Sequence, residues 1–174
     1  MPRDIFLTGV ERAFEPDEII VSKTDLKGRI TYANRVFLRL AGYDERSILG
    51  EPHSIIRHPE MPRCVFKLLW DTIAAGNEIF AYVVNRACNG DHYWVLAHVT
   101  PSFDASGAIN GYHSNRRVPD MNVVNNTIAP LYKQLLAEEK SVKNAKEGMA
   151  KGGAMLGSIL ADHGVKYDEF ALSL

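Results

Sequence analysis

Arg57 and His58 lie in a stretch punctuated by Pro52, Pro59 and Pro62, too proline-dense for a long helix yet without the Gly/Ser richness of a linker. A guanidinium there can bond a pyrophosphate or a ring carbonyl in fixed fork geometry. The imidazole can donate to a ligand acceptor, or change charge when a redox-active neighbour gains an electron. Both groups could equally satisfy the backbone carbonyls of an irregular loop. Asn34 directly follows a short β-branched run and has the type and position of a helix N-cap, which could cap and still touch a ligand. Asn85 and Arg86 close a later apolar run, where solvated edge residues are common. Trp70 and Trp94 suit either a core or a cofactor wall. His98 and His113 each fall in an expected strand, and a strand histidine facing an apolar cleft could ligate haem iron, which makes haem b an alternative cofactor.

No catalytic constellation is present. The sequence has no Gly-x-Ser-x-Gly elbow, no phosphate-binding Gly-x-x-x-x-Gly-Lys loop and no His-Glu-x-x-His helix. An enzyme is therefore not expected.

The elements that must position these residues follow from periodicity. Residues 1–17 read as a short leader or helical cap. Ile19-Ile20-Val21 and Ile30-Thr31-Tyr32-Ala33 flank an Asp25-Leu26-Lys27-Gly28 turn and form a hairpin. Short helical pieces capped by Asn34 and Asp44 come next, too short to stand alone in water. Pro62 can open a longer helix with Val65, Phe66, Leu69, Trp70 and Ile73 on one stripe, closed by Gly76. Strand Ile79–Val84, an Asn89-Gly90 turn of the type I′ class, strand His92–Thr100 halted by Pro101, and strand Ile109–Arg117 complete a meander. The expected organisation is a cap at 1–17, an antiparallel α+β unit at 18–120 and a helical extension at 121–174. In the extension, Gly148, Gly152, Gly153 and Gly157 weaken a helix but permit close approach of a neighbour, either within the domain or in a homodimer.

Composition bounds the possibilities. The chain has 174 residues, 46% hydrophobic, with 20 Lys+Arg against 21 Asp+Glu. That is enough apolar matter for a core and too little basic surplus for nucleic acid as main partner. No window approaches ~18 uninterrupted apolar residues, so no membrane span is expected. Cys64 and Cys88 are the only cysteines, which fits a cytoplasmic setting and excludes a disulfide framework.

The stretch Asp25–Asn34, the Phe37-Leu38-Arg39-Leu40-Ala41-Gly42-Tyr43 segment and the Asn89-Gly90-Asp91-His92-Tyr93-Trp94-Val95 block resemble PAS sensory domains. Gly50-Glu51-Pro52-His53-Ser54-Ile55-Ile56-Arg57-His58-Pro59-Glu60-Met61-Pro62, together with Trp70 and Asn85-Arg86, narrows the likeness to the PAS domains of aerotaxis receptors. The resemblance implies a five-stranded antiparallel sheet flanked by short helices, with FAD in the cleft between them. It places Arg57 and His58 at the flavin, Asn34 and Asn85 near the ring or its support, and His53, Glu60 and Trp70 within the same site. Glu60 stands where the family usually has aspartate. Ile79 stands where flavin-binding members often have tryptophan, and Phe80 would point to the other face of a regular strand. Neither cysteine lies in the Asn-Cys-Arg-Phe motif of photoactive flavin domains, so no cysteinyl-flavin photocycle is expected. The implied function is a redox or oxygen sensor that signals by protein contact to a separate chemotaxis-type transducer. The alternatives are a haem gas sensor and a cofactor-free interaction module.

Overall fold

The computed structural model describes residues 6–174. The first residues of the expected cap, 1–5, lie outside this range. The remainder of the cap is extended rather than helical. Glu11 bridges His92 in parallel, and Thr8 Oγ1 and Arg12 Nε both donate to the Asp91 carboxylate. Arg12 also donates to the Leu40 carbonyl at 2.7 Å, which ties the segment to the end of a helix.

Five antiparallel strands, β1 (Ile20–Thr24), β2 (Ile30–Ala33), β3 (Ile79–Arg86), β4 (His92–Phe103) and β5 (Ile109–Arg117), form one sheet in the order β2-β1-β5-β4-β3. The β1–β2 pair starts the chain at one edge, and β5 returns to the middle beside β1. Short helices α1 (Arg35–Ala41) and α2 (Glu45–Ile48), a 3-10 turn at His53–Ile56, and helix α3 (Arg63–Ala74) connect β2 to β3. Asn34 Oδ1 accepts from Phe37 N and Asp44 Oδ1 from Ser47 N, so each short helix has the cap its sequence implies. α3 buries Val65, Leu69 and Ile73.

Two turns differ from expectation. The β3–β4 connection has Ala87 N bonded to Asp91 O, Gly90 N bonded to Ala87 O, and positive φ only at Gly90. This is a three-residue loop with a left-handed glycine, not a type I′ turn, because Asn89 keeps negative φ. β4 also runs through Pro101 to Phe103. β3 pairs with β4 only as far as Val99, so beyond it β4 is unpaired on that side, and a residue without N–H fits there.

The C-terminal extension folds back on the same unit. Helix α4 (Met121–Val123), a π turn (Val124–Ile128) and helix α5 (Ala129–Lys140) run on continuously, followed by α6 (Ala145–His163) and α7 (Tyr167–Ser173). The π turn lies just before Pro130, whose missing N–H would break a regular ladder. α7 is absent from the sequence reading. Its Tyr167 hydroxyl meets Tyr132 Oη at 2.6 Å, and Tyr132 Oη donates to the Tyr82 carbonyl of β3.

α6 reaches α5 through its glycines. A Cβ on Gly148 would collide with the Glu139 carbonyl, and one on Gly152 would come 2.8 Å from Glu139 Cγ. Gly157 of the same helix faces no atom within 4 Å. Gly148→Ala should therefore cost about 1–3 kcal/mol from overpacking. Gly157→Ala should gain about 0.5–1 kcal/mol from reduced backbone entropy. Urea unfolding of the two variants checks both signs.

Candidate functional site

Alternation along the sheet puts Ile79, Ala81, Val83 and Asn85 of β3 opposite Val99, Ala97, Val95 and Tyr93 of β4, on the face covered by α3. Between this inner face and α3 lies a cavity of about 60 Å³, whose mouth is a hollow of about 390 Å³ sharing His53, Phe66, Trp70 and Asn85 with it. Phe66, Leu69, Trp70 and Ile73 of α3 form one wall, and Val83, Ala97 and Val99 form the opposite one. Trp70 packs edge-on against Tyr112 of β5, and Gly28 approaches the benzo ring of its indole so closely that a Cβ there would come 3.1 Å from Cη2.

The rest of the lining is polar. Ser22, Thr24, His53, Asn85, His113, Ser114 and Arg116 all reach it. Thr24 Oγ1, Asn85 Nδ2, Ser114 Oγ and Arg116 Nη1 are buried and have no partner among the described residues. A buried polar group without a partner costs about 1–3 kcal/mol, so four of them converging on one cavity mark a place for a ligand that supplies acceptors and donors.

Arg116 is the centre of this group. Its Nη2 donates to Ser22 Oγ at 2.6 Å and to His53 Nε2 at 2.8 Å, and its guanidinium lies 5.4 Å from the Phe37 ring centroid. Burial lowers its pKa to about 10, which still leaves it charged at neutral pH. Because the guanidinium can only donate, His53 Nε2 must accept, so His53 is the neutral Nδ1–H tautomer. Burial and the Arg116 charge together push its pKa down to about 3.

The sequence-derived candidates separate in space. His53, Asn85 and Trp70 line both the inner cavity and its mouth, and Arg57 lines the mouth. Arg57 is bridged to Asn85 through the backbone, and its guanidinium lies 4.9 Å from the Phe66 ring centroid. His58 is buried but lines neither chamber. Its Nδ1 accepts from Glu60 N, its ring lies 5.8 Å from that of His92, and burial lowers its pKa. It opens instead on a neighbouring groove shared with Arg57, Arg63 and Arg86. Glu60 is exposed and lines neither the cavity nor its mouth. Asn34 is engaged by backbone: Oδ1 accepts from Val21 N and Phe37 N, and Nδ2 donates to the Ile19 carbonyl. It caps α1 and stays out of the cavity.

The two strand histidines weighed as haem ligands differ in setting. His98 pairs with Phe80 across β3–β4, stacks on that ring at 4.1 Å and bonds Glu78 Oε2 at 2.6 Å, all on the outer face. His113, paired with Thr100 and Lys23 across its two neighbouring strands, borders the inner cavity, and its Nε2 is buried without a partner among the described residues. Ile79 is buried on the inner face, and Phe80 is on the other side, as a regular strand requires.

Arg116, Ser22, Thr24 and Ser114 are the site residues that sequence reasoning missed. The signal was a strand, Tyr112-His113-Ser114-Asn115-Arg116, with no aliphatic residue although it lies at the middle of the sheet.

Comparison with known proteins follows the same lines. A family model described as the PAS fold matches residues 30–115. The chain is 36% identical over 155 residues, 88% of its length, to the aerotaxis receptor of Escherichia coli, of which it spans 30%. It is 28% identical over 113 residues to a nitrogen fixation regulatory protein of Klebsiella pneumoniae, spanning 65% of this chain and 22% of that one. Among solved structures, the dark state of the blue-light photoreceptor Aureochrome1 LOV superposes with a TM-score of 0.56 at 26% identity, over 66% of this chain and 86% of that one. No described helix is long and apolar enough to cross a membrane.

The His53 environment has a pH signature. Its pKa is about 3 in the fold against an ordinary 6.5, so on acidification the unfolded chain takes up the proton first. The associated stability is complete above pH 6.5 and is lost as pH falls toward 3. Each pH unit in that window removes some fraction of the ~1.4 kcal/mol that one proton can contribute. Asp91, held down to about 2 chiefly by the Thr8 hydrogen bond, acts only below its ordinary 3.8. Urea midpoints taken between pH 6.5 and 4.5 should therefore fall less steeply for His53→Gln than for the unmodified chain.

Proposed function

Residues 30–115 make this chain a member of the PAS family, and we propose that it is a sensor of redox state or oxygen holding FAD in the inner cavity. The observation that carries this reading is the convergence of Thr24, Asn85, Ser114 and Arg116, each with an unpartnered buried atom, on a cavity otherwise walled by Trp70, Phe66 and aliphatic side chains. A flavin ring has one edge of carbonyls and ring nitrogens and another of methyl groups, and both edges find complements here. Asn85 Nδ2 and Arg116 Nη1 are donors for the polar edge. The two hydroxyls can donate or accept.

When bound, the flavin supplies reversible electron uptake. The chain's own part is to orient it, keep water from it and respond to it. Arg116 holds a fixed positive charge with no carboxylate within ion-pair range among the described residues, so it interacts more strongly with a ligand that has gained negative charge. That difference is what a sensor needs, because a ligand shifts a conformational equilibrium only by its differential interaction with the two states. Asn85 lies on β3, whose Tyr82 carbonyl accepts from Tyr132 of α5 on the opposite face. A change in how Asn85 bonds the ligand is thereby delivered to the C-terminal helices.

The output is contact with another signalling protein, of which a chemotaxis-type transducer is the expected kind. The support is the likeness to an aerotaxis receptor and to a nitrogen fixation regulatory protein.

The absorption spectrum of freshly purified protein tests the reading. Bands near ~450 nm that bleach on anaerobic reduction are expected. A colourless protein that stays so after incubation with FAD would leave the cofactor-free interaction module in its place. With flavin bound, Arg116→Gln should lower the midpoint potential by roughly 30 mV or more, the two-electron equivalent of ~1.4 kcal/mol. An unchanged potential would remove Arg116 from the redox response.

A further inference from the structure

Beside the mouth of the cavity lies a second, wider hollow. It runs between the proline-rich loop and the end of α5, and it shares Ser54, Arg57 and Arg63 with the mouth. Arg57, Arg63, Arg86, Lys140 and Lys143 all line it, against the single carboxylate of Glu139.

That carboxylate is already engaged. Glu139 Oε1 accepts from Cys64 N at 2.8 Å and Oε2 from Arg63 N at 3.1 Å, closing the first turn of α3. None of the five cations forms an ion pair among the described residues. Arg57 and Arg86 have only long bonds to the carbonyls of Met61 and Ile55, at 3.4 and 3.3 Å, and Arg86 Nε is buried without a partner. Like charges gathered without a counter-charge repel one another, and the Arg57 pKa is lowered first by burial and then by the Arg63 charge. A groove built this way gains most from a polyanion. Arg57 stands at the junction, so a ligand whose ring fills the inner cavity would pass it on the way into the groove.

We propose that this groove takes the diphosphate and adenosine end of the flavin, and that Lys140 and Lys143 make the C-terminal extension part of the cofactor site, selecting FAD over FMN. The inference rests on the flavin reading above. A mononucleotide ends at the mouth, among Lys27, Arg57, Arg63 and Lys67, and leaves the groove lysines unmatched. A dinucleotide reaches both. The docking of α5 is thereby coupled to the part of the ligand that carries no redox chemistry.

The experiment is a fluorescence titration of the apo-protein, full chain, with FAD and separately with FMN, repeated for the Lys140→Gln/Lys143→Gln double variant. Both lysines are exposed, so the variant should fold like the parent. FAD is expected to bind the parent about tenfold or more tighter than FMN. In the double variant FAD binding should weaken by about tenfold with FMN binding nearly unchanged, and raised salt should erode the parent's preference. A preference that survives the double variant, or equal affinities in the parent, overturns the groove's role and leaves the flavin reading intact. A chain that binds neither flavin overturns both.

Discussion

A buried guanidinium without a carboxylate is costly, and the arrangement around Arg116 is how this fold sustains one. Ser22 of β1 and His53 of the 3-10 turn accept from the same Nη2, and the Phe37 ring of α1 stands nearby. The central strand, its neighbour, the connecting turn and the first helix thus all converge on one cation. Because the remaining Nη1 has no partner among the described residues, the charge is directed to the cavity. A paired carboxylate would have made the interior more self-sufficient and less responsive. The cost of the unpaired charge is borne by the α3 packing, where Val65, Leu69 and Ile73 are buried on the same sheet.

The second organising contact is Glu139. One side chain from the extension supplies acceptors for two of the N–H groups that every helix start leaves open, and Pro62, the α3 cap residue, offers no side-chain oxygen to do so. Gly148 and Gly152 are small because Glu139 lies between α6 and α3. The extension therefore closes the helix that walls the cavity. An observer who removed residues 121–174 would also be removing the N-terminal cap of α3.

Much of this was legible in the sequence. Asn34 and Asp44 as caps, the α3 stripe, and the strand sequence all followed from residue type and spacing, because local hydrogen bonding and periodicity decide them. Which face of the sheet holds the cavity did not. Both faces of β4 are apolar, with Tyr93, Val95 and Ala97 on one and Trp94 and Leu96 on the other, because the extension packs near Trp94 on the outer side. A strand covered on both sides loses the contrast that alternation relies on, and His98 was accordingly read as a cleft candidate. Pro101 misled for a related reason: whether a strand tolerates proline depends on which neighbour is present, and that is a property of the sheet. Arg116 was missed because a charged residue in a strand ordinarily signals solvent.

The join between sheet and extension runs through phenols. Tyr132 donates to the Tyr82 carbonyl and meets Tyr167, and burial raises the pKa of both hydroxyls above the ordinary tyrosine value. Neither group exchanges its proton anywhere in the physiological range. This coupling is therefore deaf to acidity: a drift of the surrounding pH leaves the phenol contact as it was. Whatever moves that contact must arrive mechanically, along β3.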